Sequence, residues 1–241
     1  MCTVTFIPTS GNDFILTSNR DESPERKTFM PDYQVVDKRK LLYPMDANAG
    51  GTWIGISDRN RLVCVLNGAF KKHKRKPPYR ESRGNIAKTL LVATSTLEAI
   101  DSLDCSGIEP FTMIILDWKQ DLRLLEFIWD GNKKYLTHSP NAPRLWSSST
   151  LYDEHMKAQR QQWFEDFREE HRLTPDVLLD FHEKKEAGNL DYGLVMNRGY
   201  VQTTSITQVQ RIGTEVSMLY KDLVHKRTIR KNLRVSQLSN D

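Results

Sequence analysis

The chain has 241 residues, of which 38% are hydrophobic, and carries a formal net charge of +4. A chain of this length can bury a sizeable core, and we expect a single domain over residues 1–241. The small net charge does not indicate nucleic acid as a partner. The cysteines at positions 2, 64 and 105 are an odd number at wide spacing, which predicts no disulfide framework.

No segment has the pattern of a secretory signal, and none contains the roughly 20 apolar residues that span a bilayer. The histidines and cysteines do not occur at the spacings of zinc motifs. We therefore expect a cytoplasmic protein with no metal and no resident cofactor. Neither composition nor motifs indicate an oligomeric state.

The first third of the chain is predicted to contain two β-hairpins. Alternating apolar residues indicate strands over 2–8 and 14–19, with the second strand ending at "NRDE". Residues 23–50 are predicted to be loop-rich, because they contain three prolines. The second hairpin is predicted over 50–57 and 61–69.

The rest of the chain alternates between helical and strand patterns. A helix over 83–103 is predicted to break near Thr94, where Ser95 and Glu98 match a capping box. The order of elements indicates an α+β fold of two mainly antiparallel sheets with segregated helices. The further predicted elements are strands at 111–117, 122–130, 134–138 and 144–149, helices at 151–170 and 174–185, and strands at 200–210 and 215–222.

Cys2 is the first candidate for chemistry. Removal of Met1 would leave a thiol and a free α-amine on one residue, so that a single residue supplies nucleophile and base. An α-amine with a pKa of about 7.7–8.0 is partly unprotonated at neutral pH. The alternative is that Cys2 is only a small residue at the start of a strand, and position alone favours that alternative.

The segment Ser18–Glu22 ("SNRDE") strengthens the chemical interpretation. An antiparallel hairpin brings residue 2 beside residues 18–20, so an aspartate there can hold the α-ammonium. Arg20 would supply positive charge to a thiolate or an oxyanion. A solvated turn with a local Arg–Asp ion pair explains the same residues equally well.

Two glycine-containing segments are weaker candidates. "GGTW" (Gly50–Trp53) offers backbone amides that approach a ligand closely, although glycines in a turn need no ligand. "LNGA" (Leu66–Ala69) places Asn67 as an oxyanion donor, although Asn-Gly is more often only a turn. Two basic segments, 71–76 and 225–234, are predicted to be solvated loops, with contact to an anionic membrane surface, to phosphate or to nucleic acid as the alternative.

Together the N-terminal motifs resemble the NRDE family, also called the transport and Golgi organisation protein 2 family, of the N-terminal-nucleophile hydrolase-like superfamily. The resemblance rests on "MCTVTF", "SNRDES", Arg26, "GGTWIGIS" and "VLNGA". It implies a four-layer αββα sandwich, which agrees with the predicted order of strands and helices. "SRG", "LYD" and "TTSIT" continue the resemblance more weakly.

The resemblance also implies a chemistry. The penicillin V and bile-salt amidases of this fold also begin Met-Cys-Thr; their cysteine attacks a non-peptide amide, and an aspartate placed like Asp21 binds the α-amine. The chain departs from that pattern, because Ser18 replaces an arginine and Gln202 and Thr203 stand where a late arginine is common. Ser147–Ser149 replace a Ser-Asn-Gly step.

The candidate site residues fall into two groups. The catalytic group is Cys2, Asn19, Arg20, Asp21 and Asn67. The substrate-binding group is Glu22, Arg26, Gly50, Gly51, Thr52, Trp53 and Ser148.

Two functions stay open on the sequence alone. The first is hydrolysis of a small non-peptide amide or thioester by an N-terminal cysteine. The second is binding or trafficking of haem, acyl-CoA or a related lipid on the same fold, where haem would be a transported ligand and not a cofactor. An RNA or membrane adaptor, for which binding would weaken steeply with salt, ranks below both.

Overall fold

The computed structural model describes residues 3–184 and 188–234, which contain two antiparallel sheets and four helices. Neighbouring strands of the first sheet, in spatial order, are β10 (Arg144–Ser147), β1 (Thr3–Pro8), β2 (Phe14–Glu22), β11 (Gln202–Ile212), β12 (Glu215–Asp222) and β13 (Arg227–Arg234). Those of the second sheet are β3 (Thr28–Val36), β4 (Arg39–Asp46), β5 (Ile54–Ser57), β6 (Arg61–Asn67), β7 (Phe111–Asp117), β8 (Arg123–Trp129) and β9 (Lys134–Ser139).

Three apolar clusters hold four layers together. The first lies between the sheets and includes Phe6, Phe14 and Ile114. The second joins the seven-stranded sheet to helices α1 (Arg83–Val92) and α2 (Thr96–Ser102), and the third joins the six-stranded sheet to α3 (Glu154–Glu170) and α4 (Pro175–Glu183). The layers run helix, sheet, sheet, helix, which confirms the predicted αββα sandwich.

The helix boundaries follow from capping residues. The predicted break near Thr94 is confirmed, because Ser95 caps α2 by accepting a hydrogen bond of 3.3 Å from the backbone amide of Glu98. Ser82 caps α1 in the same way. None of the helices in the described ranges is long and apolar enough to cross a membrane.

The prediction of loops over residues 23–50 was wrong, because β3 and β4 form a hairpin there. The chain reverses at Asp37 and Lys38, which both have positive φ, as a two-residue hairpin turn requires. Pro31 lies in a β-bulge on an edge strand, where proline removes no ladder hydrogen bond.

A second correction concerns β13, which lies in the basic segment predicted to be a loop. Arg227, Arg230 and Lys231 all lie on this edge strand. Charged side chains on an edge strand discourage pairing with another chain, and they obscure the apolar alternation that would have revealed the strand.

A third correction concerns the segment predicted to end the second strand. Strand β2 continues through Asn19, Arg20 and Asp21 as far as Glu22, and the first three of these are buried. It pairs with β1 on one side, with Thr3 opposite Asn19, and with β11 on the other, with Asp21 opposite Thr203. Buried strand positions, and not a solvated turn, therefore carry this motif.

Candidate active site

A cavity of about 110 Å³ lies where the end of β2 meets the turn after β4 and the first residues of α1. It brings together many of the residues selected from the sequence, and it adds Asp46, Ser82, Arg83 and Gly84. We call it the first cavity. The selected residues that line it are Arg20, Glu22, Arg26, Gly51, Thr52, Trp53 and Asn67.

Asp46 organises the charges of the first cavity. Its Oδ2 accepts hydrogen bonds from Arg20 Nη2 at 3.1 Å and from Arg26 Nε at 2.6 Å. Its Oδ1 accepts the backbone amides of Asn48 and Ala49, which fixes the turn that carries the glycines. Burial alone would raise the pKa of Asp46, but the hydrogen bonds from Arg26 and Ala49 hold it below its ordinary value.

Arg20 is buried between the sheets, with 4% of its surface exposed. Its guanidinium lies 4.3 Å from the centre of the Trp53 ring, and Nη1 donates to Thr204 Oγ1 at 3.3 Å. Burial lowers the pKa of Arg20, while Glu22 and Asp46 act in the opposite direction. The cation–π contact with Trp53 and the ion pair with Asp46 together offset the free-energy cost of removing the Arg20 charge from water.

The glycines of "GGTW" and "SRG" have a structural explanation. A Cβ on Gly51 would lie 2.8 Å from the carbonyl carbon of Gly84, and a Cβ on Gly84 would lie 2.7 Å from Thr52 N. The turn therefore packs directly on the start of α1. Gly50 has a φ of +64°, which favours glycine over other residues.

Thr52 and Ser148 hold the backbone of the cavity. The Thr52 hydroxyl lies within hydrogen-bond distance of the carbonyl oxygens of Pro44 and Ile54, at 2.8 and 2.7 Å. Ser148 Oγ donates to the carbonyl oxygen of Asn67 at 2.8 Å. The side-chain amide of Asn67 lines the cavity and has no hydrogen-bond partner within residues 3–184 and 188–234, which leaves it available to a ligand.

Asp21 lies on the opposite face of β2 from Arg20. Its Oδ2 accepts a hydrogen bond of 2.5 Å from the Tyr152 hydroxyl, and its Oδ1 accepts one of 2.7 Å from Thr203 Oγ1. Only 3% of Asp21 is exposed. Two residues from distant parts of the sequence thus donate hydrogen bonds to this carboxylate.

Asn19 shares the face of Asp21 and does not line the first cavity. Its amide nitrogen donates to the carbonyl oxygens of His182 and Leu194 at 3.0 and 2.7 Å. Its Oδ1 lies 2.6 Å from His182 Nδ1, and His182 Nε2 lies 2.8 Å from Thr5 Oγ1. Burial lowers the pKa of His182 to about 3, so this histidine is neutral. These contacts join β2 to α4, and a catalytic role for Asn19 stays a prediction.

Two of the three cysteines lie within the described residues, and both are buried. Cys2 lies outside the described residues. Burial raises the pKa of Cys64 to about 12, and burial also raises the pKa of Cys105. Both are therefore poor nucleophiles.

Two further cavities follow the first in series. The second cavity, of about 240 Å³, shares Glu22, Arg26, Asn67 and Arg83 with the first. The third, of about 430 Å³, shares Lys72 and Thr150 with the second. Basic side chains are frequent along this series; they are Lys71, Lys72, Arg75, Lys157 and Arg198.

Sequence reasoning missed Asp46, Tyr152 and Arg160. Arg160 is fully buried on α3, and its Nη2 donates to the Tyr152 hydroxyl at 3.0 Å. Tyr152 is the middle residue of the "LYD" motif, so the motif was a usable signal. Asp46 and Arg160 stand in no motif that would have indicated them.

Comparison with protein families gives one match. The model of the family described as "Transport and Golgi organisation 2" matches residues 1–213. The comparison with curated protein sequences found no significant match.

Comparison with solved structures shows the fold. An N-acylethanolamine-hydrolyzing acid amidase ortholog from Caenorhabditis elegans has a TM-score of 0.57 and 12% identity, with 86% of this chain and 92% of that chain covered. Penicillin V acylase from Agrobacterium tumefaciens has a TM-score of 0.55 and 11% identity, with 95% and 85% covered. A single-residue variant of conjugated bile acid hydrolase from Clostridium perfringens has a TM-score of 0.52 and 10% identity, with both chains covered at 100%.

Proposed function

The chain belongs to the Transport and Golgi organisation 2 family, and from this premise we propose that it is an N-terminal-cysteine hydrolase of small non-peptide amides or thioesters. The solved structures that resemble it include two amidases or acylases and a bile acid hydrolase, but their identity is low enough that they support the fold alone. The proposal therefore depends on the residues of this chain.

The observation that carries the proposal is the register of β1 on β2. Thr3 lies opposite Asn19, and the strands are antiparallel, so the N-terminal end of β1 lies at the end of β2 that carries Arg20 and Asp21. Cys2 is joined to Thr3 by one peptide bond, which limits the distance between their Cα atoms to about 3.8 Å. A cysteine with a free amine would thus begin beside a buried carboxylate.

The proposed reaction has two steps. After removal of Met1, the α-amine of Cys2 accepts the thiol proton, and Sγ attacks the carbonyl carbon of the substrate. The tetrahedral intermediate collapses to a thioester on Cys2, and the proton passes to the leaving amine or thiol. Water then attacks that thioester with the amine as general base, which releases the carboxylic acid and restores the thiol.

Asp21 and Asn67 have separate roles in this proposal. Asp21, whose oxygens both accept hydrogen bonds from neighbouring hydroxyls, orients the α-amine. Asn67 donates its side-chain amide to the developing oxyanion, because that amide has no partner among the described residues. Ser148 keeps Asn67 in place through its backbone oxygen.

The test compares Cys2→Ala and Cys2→Ser with Cys105→Ser, which alters a buried thiol outside the cavities. A panel of N-acyl amides and S-acyl thioesters of different chain lengths is offered to each purified protein. We expect both Cys2 variants to lose turnover and Cys105→Ser to keep it. Undiminished turnover by Cys2→Ala would contradict the proposal.

Binding without turnover is the second candidate, and the third cavity favours it. Lys71, Lys72 and Arg198 line this cavity of about 430 Å³, which suits a ligand with carboxylates or phosphates, such as haem or acyl-CoA. Titration of the protein with haem and with palmitoyl-CoA, followed by absorbance and fluorescence, tests it. Saturable binding that Lys72→Glu weakens and Lys226→Glu leaves unchanged would support this candidate.

A further inference from the structure

Arg160 is a fully buried cation that has no carboxylate within ion-pair distance among the described residues. Its Nε and Nη2 donate to the carbonyl oxygens of Tyr192 and Gly193 at 2.8 and 2.6 Å. Its Nη1 donates to Thr3 Oγ1. A buried charge paired only with neutral groups is costly, and such groups are common at functional sites.

The contacts of Arg160 fix the direction of a hydrogen-bond chain. A guanidinium only donates, so the oxygen of Tyr152 accepts from Nη2 at 3.0 Å. The guanidinium carbon also lies 3.7 Å from the centre of the Tyr152 ring, which holds the ring in place. The Tyr152 proton is then directed to Asp21 Oδ2, at 2.5 Å.

The second oxygen of Asp21 receives a chain with the same direction. The backbone amide of Met196 donates to Thr203 Oγ1 at 3.0 Å, and an amide only donates. The Thr203 hydroxyl proton is therefore free to donate to Asp21 Oδ1, which lies 2.7 Å away. Both oxygens of Asp21 are thus placed to accept, and neither neighbour needs Asp21 to donate.

We propose that Arg160 and Tyr152 form a positioning relay that keeps Asp21 an acceptor for the α-amine of Cys2 and places a positive charge beside that residue. The inference rests on the proposed function. Arg160 contacts Thr3, the neighbour of Cys2, so its charge disfavours the protonated amine and favours the thiolate. The relay therefore increases the reactivity of Cys2 near neutral pH.

The other charged or titratable groups near Asp21 and the start of β1 include Arg198, whose guanidinium lies 5.7 Å from the centre of the Tyr152 ring, and Cys64, on β6. Asp21 and Arg20 come from β2, Tyr152 precedes α3, and Arg160 lies on α3. His182 comes from α4 and is neutral, because burial lowers its pKa to about 3. A change in the pH profile of Cys2 on removal of Arg160 would thus report the relay itself.

The experiment measures alkylation of Cys2 by iodoacetamide between pH 6 and 9, with intact and peptide mass spectrometry. Arg160→Met is expected to move the rate profile upward by about one pH unit, which lowers the rate at pH 7 roughly tenfold. Tyr152→Phe keeps the ring and the arginine, and is expected to give a smaller shift in the same direction. Tyr152→Phe also provides the test of the relay if the Arg160→Met protein does not fold.

The controls separate the relay from general damage. Arg168→Met removes an arginine from the same helix, where Arg168 pairs with Glu165 at the surface, and should leave the Cys2 profile unchanged. If the relay acts as a unit, the Tyr152→Phe change has little further effect in the Arg160→Met protein. Melting temperatures measured in parallel show whether a shift in the pH profile of Cys2 alkylation merely accompanies a loss of stability.

The outcomes distinguish failure of the inference from failure of the proposed function. Retention of Met1, read from the intact mass, overturns both. Removal of Met1 with a Cys2 profile that is identical in the wild type, Arg160→Met and Tyr152→Phe overturns the relay and leaves the hydrolase proposal standing. A shift in both variants, with no shift in Arg168→Met, supports the relay.

Discussion

The backbones of Gly51 and Gly84 lie so close that a Cβ on Gly51 would sit 2.8 Å from the carbonyl carbon of Gly84. Gly51 belongs to the turn after β4, and Gly84 to the first turn of α1. The amide of Thr52 also donates to the carbonyl oxygen of Gly84, at 3.4 Å. This contact closes one wall of the first cavity.

Gly84→Ala tests this contact, because two physical effects predict opposite signs. Helix propensity alone predicts that alanine stabilises α1 by about 1 kcal/mol. The added Cβ would lie 2.7 Å from Thr52 N and O, and we expect this overpacking to dominate and destabilise the protein by about 2 kcal/mol.

Thermal unfolding measures the result as a fall in melting temperature of about 5 °C. Thr89→Ala changes an exposed residue of the same helix and serves as the control. An increase in the melting temperature of Gly84→Ala would show that the close approach does not constrain the first cavity.

Asp46→Asn is expected to destabilise the protein by about 3–5 kcal/mol, because it leaves the buried Arg20 without its ion-pair partner and removes one of the two carboxylates that pair with Arg26. The folded-state pKa of Asp46 lies below its ordinary value. Its contribution is therefore complete above the unfolded-state pKa, and it is lost as pH falls through the folded-state pKa.

Urea unfolding at several pH values between 3 and 7 measures the destabilisation by Asp46→Asn and the pH dependence of the Asp46 contribution. Asp104→Asn makes the same substitution in the exposed ion pair with Arg80, where we expect little change at pH 7. Equal destabilisation by the two substitutions would contradict the importance of the buried pair.

The sequence pattern predicts the strands of this α+β fold well where apolar residues alternate, but poorly where charges or prolines interrupt the alternation. Strands β3, β4 and β13 were missed for this reason; β3 and β13 lie at sheet edges, where charge and proline are tolerated. The helices were easier, because Ser95 and Pro175 mark their beginnings.

The candidate site was predicted only in part, and the reason differs from the one that applies to the strands. Residues 19–22 form one motif in the sequence, but a strand alternates its side chains, so Arg20 faces the first cavity while Asn19 and Asp21 face α3 and α4. Asp46 and Arg160 reach these residues only through tertiary contacts. No local pattern reports such contacts.

His182 is expected to make the protein sensitive to acid. Its pKa falls from 6.5 to about 3 on burial, so below pH 6.5 the unfolded state binds a proton that the folded state does not. Stability therefore falls as pH decreases between these values, by up to about 1.4 kcal/mol per pH unit.

His182→Gln removes this titration while keeping polar atoms near Thr5 and Asn19. We expect it to be less stable than the wild type at pH 7 and to lose less stability on acidification. His138→Gln, at an exposed position of β9, is the control. Parallel pH dependence in the wild type and His182→Gln, measured by urea unfolding, would refute the role of His182.

Alkylation of the buried cysteines supplies the last prediction. With a pKa of about 12, only about one Cys64 thiol in ten thousand is ionised at pH 8. We expect iodoacetamide to label native Cys64 and Cys105 far more slowly than the same residues in urea, as measured by peptide mass. Because the native rate is limited by opening of the fold, Gly84→Ala should accelerate labelling of Cys64 in proportion to its loss of stability. Rapid labelling of Cys64 in the native wild type would contradict its burial between the two sheets.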